Sequence, residues 1–236
     1  MRKPWFLLAL LGLACTLPSD VDPPGQLPPP PPPVPGGGLR LLFVGNSLTY
    51  TWNVPGLVRQ LAEAAGRPAP TVVARTAADY ALEDHWAEGQ VQRDLRDGDY
   101  DVMILQQGPS TLTSSGENLT QWVRTFATAA AAVGTRVGVY AISAPVGANY
   151  QAGVEHYQTA ADVSATAFYP SSQAWLAAWN LNEAMPLYGG DGFHPSRHGA
   201  TLNAMVIAAL IFEIDPATMP NLFPTIISDA EMGQLR

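Results

Sequence analysis

Short apolar runs alternate with longer amphipathic segments from residue 39 onward. Leu41-Leu42-Phe43-Val44 and Tyr100-Asp101-Val102-Met103-Ile104-Leu105 are compact apolar stretches, as expected of strands covered on both faces. Thr71–Ala74, Arg136–Ile142 and Ser164–Tyr169 read as further strands. Between them, Val54–Ala65 has helical periodicity, with Pro55 in its first turn and Gly66 past its end. Further helices are predicted within Leu82–Leu95 and over Asn118–Val133, Tyr150–Asp162, Ser171–Asn180 and Arg197–Glu213. Strands alternating with helices predict an α/β domain built on a parallel sheet. In such sheets, ligands bind at the carboxyl ends of the strands.

The first 38 residues follow a different pattern. Arg2 and Lys3 precede an apolar run, Trp5–Leu13, which is shorter than the roughly 20 residues needed to span a bilayer as a helix. This is the pattern of an export signal, assigned to residues 1–15. Ala14-Cys15 at its end resembles the bacterial lipoprotein signal, making Cys15 a lipidation candidate and implying membrane attachment at the cell envelope. The alternative is a plain signal peptide cut near Thr16–Ser19, which would leave a secreted protein. Residues 16–38 hold an unbroken Pro28–Pro33 run and end in Gly36-Gly37-Gly38. Consecutive prolines favour extended polyproline II, so this stretch reads as a spacer, with residues 39–236 as a single domain.

Composition narrows the function. Of 236 residues, 47% are hydrophobic, enough for a buried core. The formal charge is −8 and no basic run follows Lys3, which argues against a nucleic-acid partner. Cys15 is the single cysteine, which excludes an internal disulfide and a Cys-based zinc site.

Two short segments carry candidate chemistry. Ser47, in Gly45-Asn46-Ser47-Leu48, follows the first strand directly. A serine at a strand-to-helix turn can present its hydroxyl beside a free amide, as a nucleophile with an oxyanion donor requires. Alone, Gly-Asn-Ser is also a common turn. The second segment is Asp191-Gly192-Phe193-His194-Pro195. Its carboxylate can hold one imidazole nitrogen while the other faces a serine. Pro195 keeps His194 out of the following helix, which weakens a rival reading of His194 and His198 as paired metal ligands.

Together these segments resemble the first and last blocks of the SGNH/GDSL hydrolases, Gly-Asp/Asn-Ser-Leu and Asp-x-x-His-Pro, over about residues 39–220. The resemblance implies a flavodoxin-like three-layer α/β/α sandwich with a parallel sheet of about five strands. It implies an esterase that uses neither metal nor organic cofactor and acts on small-molecule, glycan or lipid esters. By it, Ser47 is the nucleophile, His194 the base and Asp191 its orienter. The two middle blocks depart from the family. Where most members have Gly after the second strand, this chain has Arg75–Leu82 without one, so the amide of Ala78 or Asp79 takes that place beside the amide of Ser47. Where most have Gly-x-Asn-Asp after the third strand, this chain has Leu105-Gln106-Gln107, as does one branch of the family. Gln106 is therefore assigned the oxyanion role, with Gln107 and Ser110 as alternatives.

These departures also motivate a second reading, a surface-tethered carbohydrate- or polymer-binding module that kept the fold and lost useful catalysis. His85 and Trp86 read as packing near the cleft rim, and Trp175 and Trp179 as core. Tyr188 and Phe193 flank the catalytic loop as candidate substrate contacts. Asn118-Leu119-Thr120 fits a glycosylation sequon, which in a bacterial chain is accidental.

Overall fold

A computed structural model describes residues 37–236, so the export signal, Cys15 and almost all of the proline spacer lie outside the described residues. Five strands, β1 (Arg40–Gly45), β2 (Thr71–Thr76), β3 (Val102–Leu105), β4 (Arg136–Tyr140) and β5 (Ala167–Tyr169), form one parallel sheet in the order β2-β1-β3-β4-β5. β1 from Leu41 onward and all of β3 are buried, which explains their continuous apolar runs.

The helices are α1 (Ser47–Tyr50), α2 (Val54–Ala64), α3 (Leu82–Glu88), α4 (Gln90–Asp97), α5 (Thr113–Ala131), α6 (Tyr150–Val163), α7 (Ser171–Leu181), α8 (Arg197–Phe212) and α9 (Asp229–Leu235). α2 packs on α8, which also meets α7; α5 packs on α6, α3 and α4. The sheet lies between these two sets, giving the expected α/β/α sandwich with flavodoxin-like strand order.

Local chemistry explains the boundaries. In α2, Asn53 accepts from the N–H of Gly56, Pro55 needs no donor in the first turn, and Val54, Leu57, Val58 and Leu61 make one buried stripe. The segment read as one helix within Leu82–Leu95 is two helices, because Gly89 takes a left-handed φ of 76° between them. α5 starts at Thr113, five residues before the expected Asn118, and β5 is shorter than Ser164–Tyr169. α9, whose Ser228 and Glu231 form a capping box, has no counterpart in the sequence reading. Among the described residues no helix is long and apolar enough to cross a membrane.

Reversal of the chain order between β1 and β3 places their carboxyl ends side by side, with Val44 paired to Leu105. Ser47 follows one of these ends and Gln106 the other. This is the crevice at which doubly wound sheets hold ligands.

Candidate active site

Ser47 is positioned by the residue before it. Asn46 is extended (φ −127°, ψ −154°) and caps α1 by accepting from the N–H of Leu48 at 3.1 Å. Its Nδ2 donates to the carbonyl of Tyr80 at 3.0 Å. Ser47 is thus the first helical residue, and its own N–H has no acceptor among the described residues. Beneath it, Gly45 is required by space: a Cβ there would lie 2.5 Å from Oε1 of Gln106 and 2.6 Å from Oγ1 of Thr49. The Gly45 carbonyl accepts from Nε2 of His85 at 2.8 Å. His85 is buried, and loss of hydration holds its pKa below the ordinary value, a shift partly opposed by that hydrogen bond. The imidazole read as rim packing instead fixes the end of β1.

The partners of Ser47 come from a hairpin-like loop. Tyr188 and Pro195 form an antiparallel bridge, Gly189 N–H donates to His194 O, and Ser196 N–H donates to Leu187 O. Gly192 takes a φ of 66° at the bend and its carbonyl accepts from Val146 N–H, tying the loop to the segment after β4. Within the loop, Oδ1 of Asp191 accepts from the N–H groups of Phe193 and His194, each at 3.0 Å. Its Oδ2 lies 2.6 Å from Nδ1 of His194. The hydrogen bond from His194, followed by the two backbone donors, lowers the Asp191 pKa to about 2. An ionised Asp191 can only accept, so Nδ1 carries the proton. In the neutral imidazole Nε2 is then an acceptor, 2.8 Å from Oγ of Ser47. The structure brings Asp191, His194 and Ser47 into one hydrogen-bonded line.

Two residues that the sequence reading left aside hold this loop against the Ser47 segment. Trp52 Nε1 donates to the carbonyl of Pro195 at 3.0 Å. The guanidinium of Arg197 lies 4.4 Å from the centre of the Trp52 ring. Trp52 and Asn53 both have positive φ, 57° and 55°, uncommon for residues with a side chain. Neither feature has a local sequence signature, because the contact joins positions 143 residues apart.

Beside Ser47 lies an open cavity of about 410 Å³, walled by Asn46, Asp79, Gln107, Ser110, Ser115 and Phe193 among others. Gln106, expected as the oxyanion donor, is not among the residues that line this wall. Its Oε1 accepts from Asn46 N–H at 2.9 Å and Thr49 Oγ1 at 2.7 Å, and its Nε2 donates to Gln107 O at 2.7 Å. The carboxamide is committed to the scaffold beneath Ser47. Gln107 does reach the cavity. Its Oε1 accepts from Leu82 N–H at 3.0 Å, and one of its amide hydrogens goes to Asn118 Oδ1 at 3.1 Å. Asn118 in turn donates to Glu83, so the sequon residue braces the cavity wall.

On the other side, the cavity reaches Asp79 rather than Ala78. Asp79 adopts a φ of 61°, the left-handed region that glycine favours. Tyr188 packs among Trp175 and Trp179 and donates to the Ala144 carbonyl, so it supports the loop. Of the two residues read as substrate contacts, Phe193 is the one at the cavity. His198 lies in α8, 3.4 Å from Glu231 and apart from His194. Among the described residues no group of three or more His, Cys, Asp or Glu side chains is arranged to hold a metal ion.

No protein-family model and no curated protein matches the chain. Solved structures do match. One from Slackia heliotrinireducens, named for the SGNH hydrolases, is 23% identical with a TM-score of 0.63, over 73% of this chain and 98% of that one. A DUF4886 family protein from Bacteroides uniformis is 16% identical with a TM-score of 0.68, over 84% and 92%. A catalytic mutant of Axe2, an acetylxylan esterase from Geobacillus stearothermophilus, is 13% identical with a TM-score of 0.54, over 75% and 94%. At these identities the likeness is one of fold, and the fold is that of the SGNH hydrolases.

Proposed function

We propose that this chain, an α/β domain of the SGNH-hydrolase fold, is a serine esterase acting through an acyl-enzyme. The observation that carries the reading is the continuous line from Asp191 through His194 to Ser47. Nε2 of His194 takes the proton of Ser47 as Oγ attacks the ester carbonyl. The imidazolium is held by ionised Asp191 and returns the proton to the departing alcohol. A water, deprotonated by the same Nε2, then attacks the acyl-enzyme, releasing the acid and restoring Ser47. The uncommitted N–H of Ser47 and an amide of the Asp79 turn serve the oxyanion, with the Gln107 carboxamide as the side-chain donor in place of Gln106.

The cavity wall mixes polar Asp79, Gln107, Ser110 and Ser115 with apolar Ala81, Pro109, Pro145 and Phe193. Asp79, Gln107, Ser110 and Ser115 offer hydrogen bonds to a hydroxylated leaving group, so we assign esters of small acids with polyols or sugars as substrates. The export signal and Cys15 place the enzyme, in this proposal, in the envelope of a bacterium or outside the cell.

The test is turnover of nitrophenyl acetate and acetylated sugars by the purified protein, together with labelling by a fluorophosphonate. Loss of both in Ser47→Ala is expected. Activity that survives intact in that variant overturns the mechanism, and a folded wild type that never labels but binds glycans would favour the binding module.

A further inference from the structure

All five strands run parallel, so the ends at which they begin lie opposite the ends that carry Ser47 and Gln106. At that far end is a second cavity, of about 570 Å³, larger than the one beside Ser47 and sharing no lining residue with it. The strand pattern accounts for it. β5 has three residues and pairs with β4 only from Gly138 onward, so Arg136 and Val137 have no strand partner on that side. The ends of α5 and α8 close the space incompletely.

The walls are apolar where Val137, Phe168, Leu210 and Ile211 line them. Leu210 is 53% exposed, and exposed Val133 and Val163 directly precede lining residues Gly134 and Ser164. Against this apolar surface sit two polar atoms buried without a hydrogen-bond partner among the described residues, Nε of Arg136 and Oγ of Ser164. Leaving a buried donor unsatisfied costs stability, because the hydration it gave up is not replaced. Such atoms in a folded protein call for water, an ion or a ligand.

The donor chemistry limits the occupant. A guanidinium only donates, and its fork matches a carboxylate. Among the described residues no acidic side chain forms an ion pair with Arg136. Glu213 lines the same cavity, and its carboxylate would repel a second negative charge on the occupant. The apolar walls require a hydrocarbon tail, and the volume lies within the roughly 300–1,000 Å³ common for ligand sites. We propose that this cavity binds a fatty carboxylate of medium chain length. Its head group is held by Arg136 and Ser164, and its tail lies along Val137, Phe168 and Leu210. The site is independent of the chemistry at Ser47.

Calorimetric titration of the full chain with decanoate, decanol and acetate tests this. Decanoate is expected to bind once per chain, with decanol and acetate each at least about tenfold weaker, a difference of about 1.4 kcal/mol. Arg136→Met and Leu210→Asp should each weaken decanoate about tenfold or more. Arg136→Lys, which keeps the charge and loses the fork, should fall between wild type and Arg136→Met and serves if the Met variant fails to melt cooperatively. Decanol binding as tightly as decanoate overturns the role of the guanidinium. Decanoate binding unchanged in the Arg136→Lys and Leu210→Asp variants places it elsewhere, and absence of saturable decanoate binding overturns the site itself.

Discussion

The indole N–H of Trp52 donates to the carbonyl of Pro195, joining the turn that follows Ser47 to the residue that follows His194. It is a direct bond between the two segments whose separation sets the 2.8 Å contact of Ser47 with His194. Arg197, stacked on the same ring and also 5.2 Å from the centre of Phe223, holds the indole from behind. The left-handed φ of Trp52 lets the chain turn toward the loop at some cost in backbone strain, as recurs at functional sites.

Trp52→Phe keeps an aromatic ring for Arg197 and removes the N–H. A neutral hydrogen bond contributes about 1 kcal/mol, so kcat should fall about fivefold with KM nearly unchanged if the bond sets the Ser47–His194 geometry. Steady-state kinetics with thermal melting of the same samples checks this. A drop in melting temperature with unchanged kcat would make Trp52 a stabilising residue only.

Asp191→Asn should reduce kcat by about 10⁴, as in the trypsin triad, because an amide can donate to Nδ1 and favour the wrong imidazole tautomer. The pH dependence follows from the Asp191 pKa of about 2, below the ordinary value. A depressed carboxylate pKa gives stabilisation that is complete above the unfolded value and is lost only as pH falls toward 2. Asp191 therefore stays ionised across the working range and contributes no ionisation of its own to the acid side of the kcat/KM profile. A two-proton slope above pH about 4 would contradict this state of Asp191.

The sandwich and the three aligned residues were legible because both rest on local pattern. Buried strands show as apolar runs, and Asp191 and His194 lie in one loop whose internal hydrogen bonds fix them. The direction of the Gln106 side chain was not legible, because a carboxamide after β3 can turn either way, and sequence does not show that Gly45 leaves room beneath Ser47 for Oε1. The left-handed turn at Asp79 was hidden because its residue is not glycine. Trp52 depends on a partner far away in sequence, and α9 on a cap in a segment with little periodicity.

Stability should also depend on His85. Its folded pKa lies below the unfolded value, chiefly because burial penalises the charged form. Below about pH 6.5 the unfolded chain takes up a proton that the folded chain resists, so stability is full above that pH and declines as pH falls toward the lowered folded value. His85→Gln retains a donor for the Gly45 carbonyl and cannot titrate. Melting between pH 7.5 and 5 should cost the wild type a few °C more than this variant. Parallel curves for the two proteins would remove His85 as the source.

Gln106 and Gln107 should separate when each is changed alone. Gln106→Leu leaves Asn46 N–H and the Thr49 hydroxyl without their acceptor in a buried place. At about 1–3 kcal/mol for each unsatisfied group, it should lower stability by several kcal/mol, with activity lost in proportion to unfolding. Gln107→Ala removes the carboxamide at the cavity while its backbone carbonyl still accepts from Tyr157 and Gln106. Loss of an oxyanion donor costs about 10²–10³ in kcat, so this variant, which leaves the single buried N–H of Leu82 without its acceptor, should lose about 1–3 kcal/mol, less than Gln106→Leu, and turn over that much more slowly while still folded. Denaturant unfolding beside kcat for both variants decides the assignment. A stable Gln106→Leu with a collapsed kcat, beside an active Gln107→Ala, would return the oxyanion role to Gln106, whereas the bonds that Gln106 makes beneath Ser47 require the opposite order.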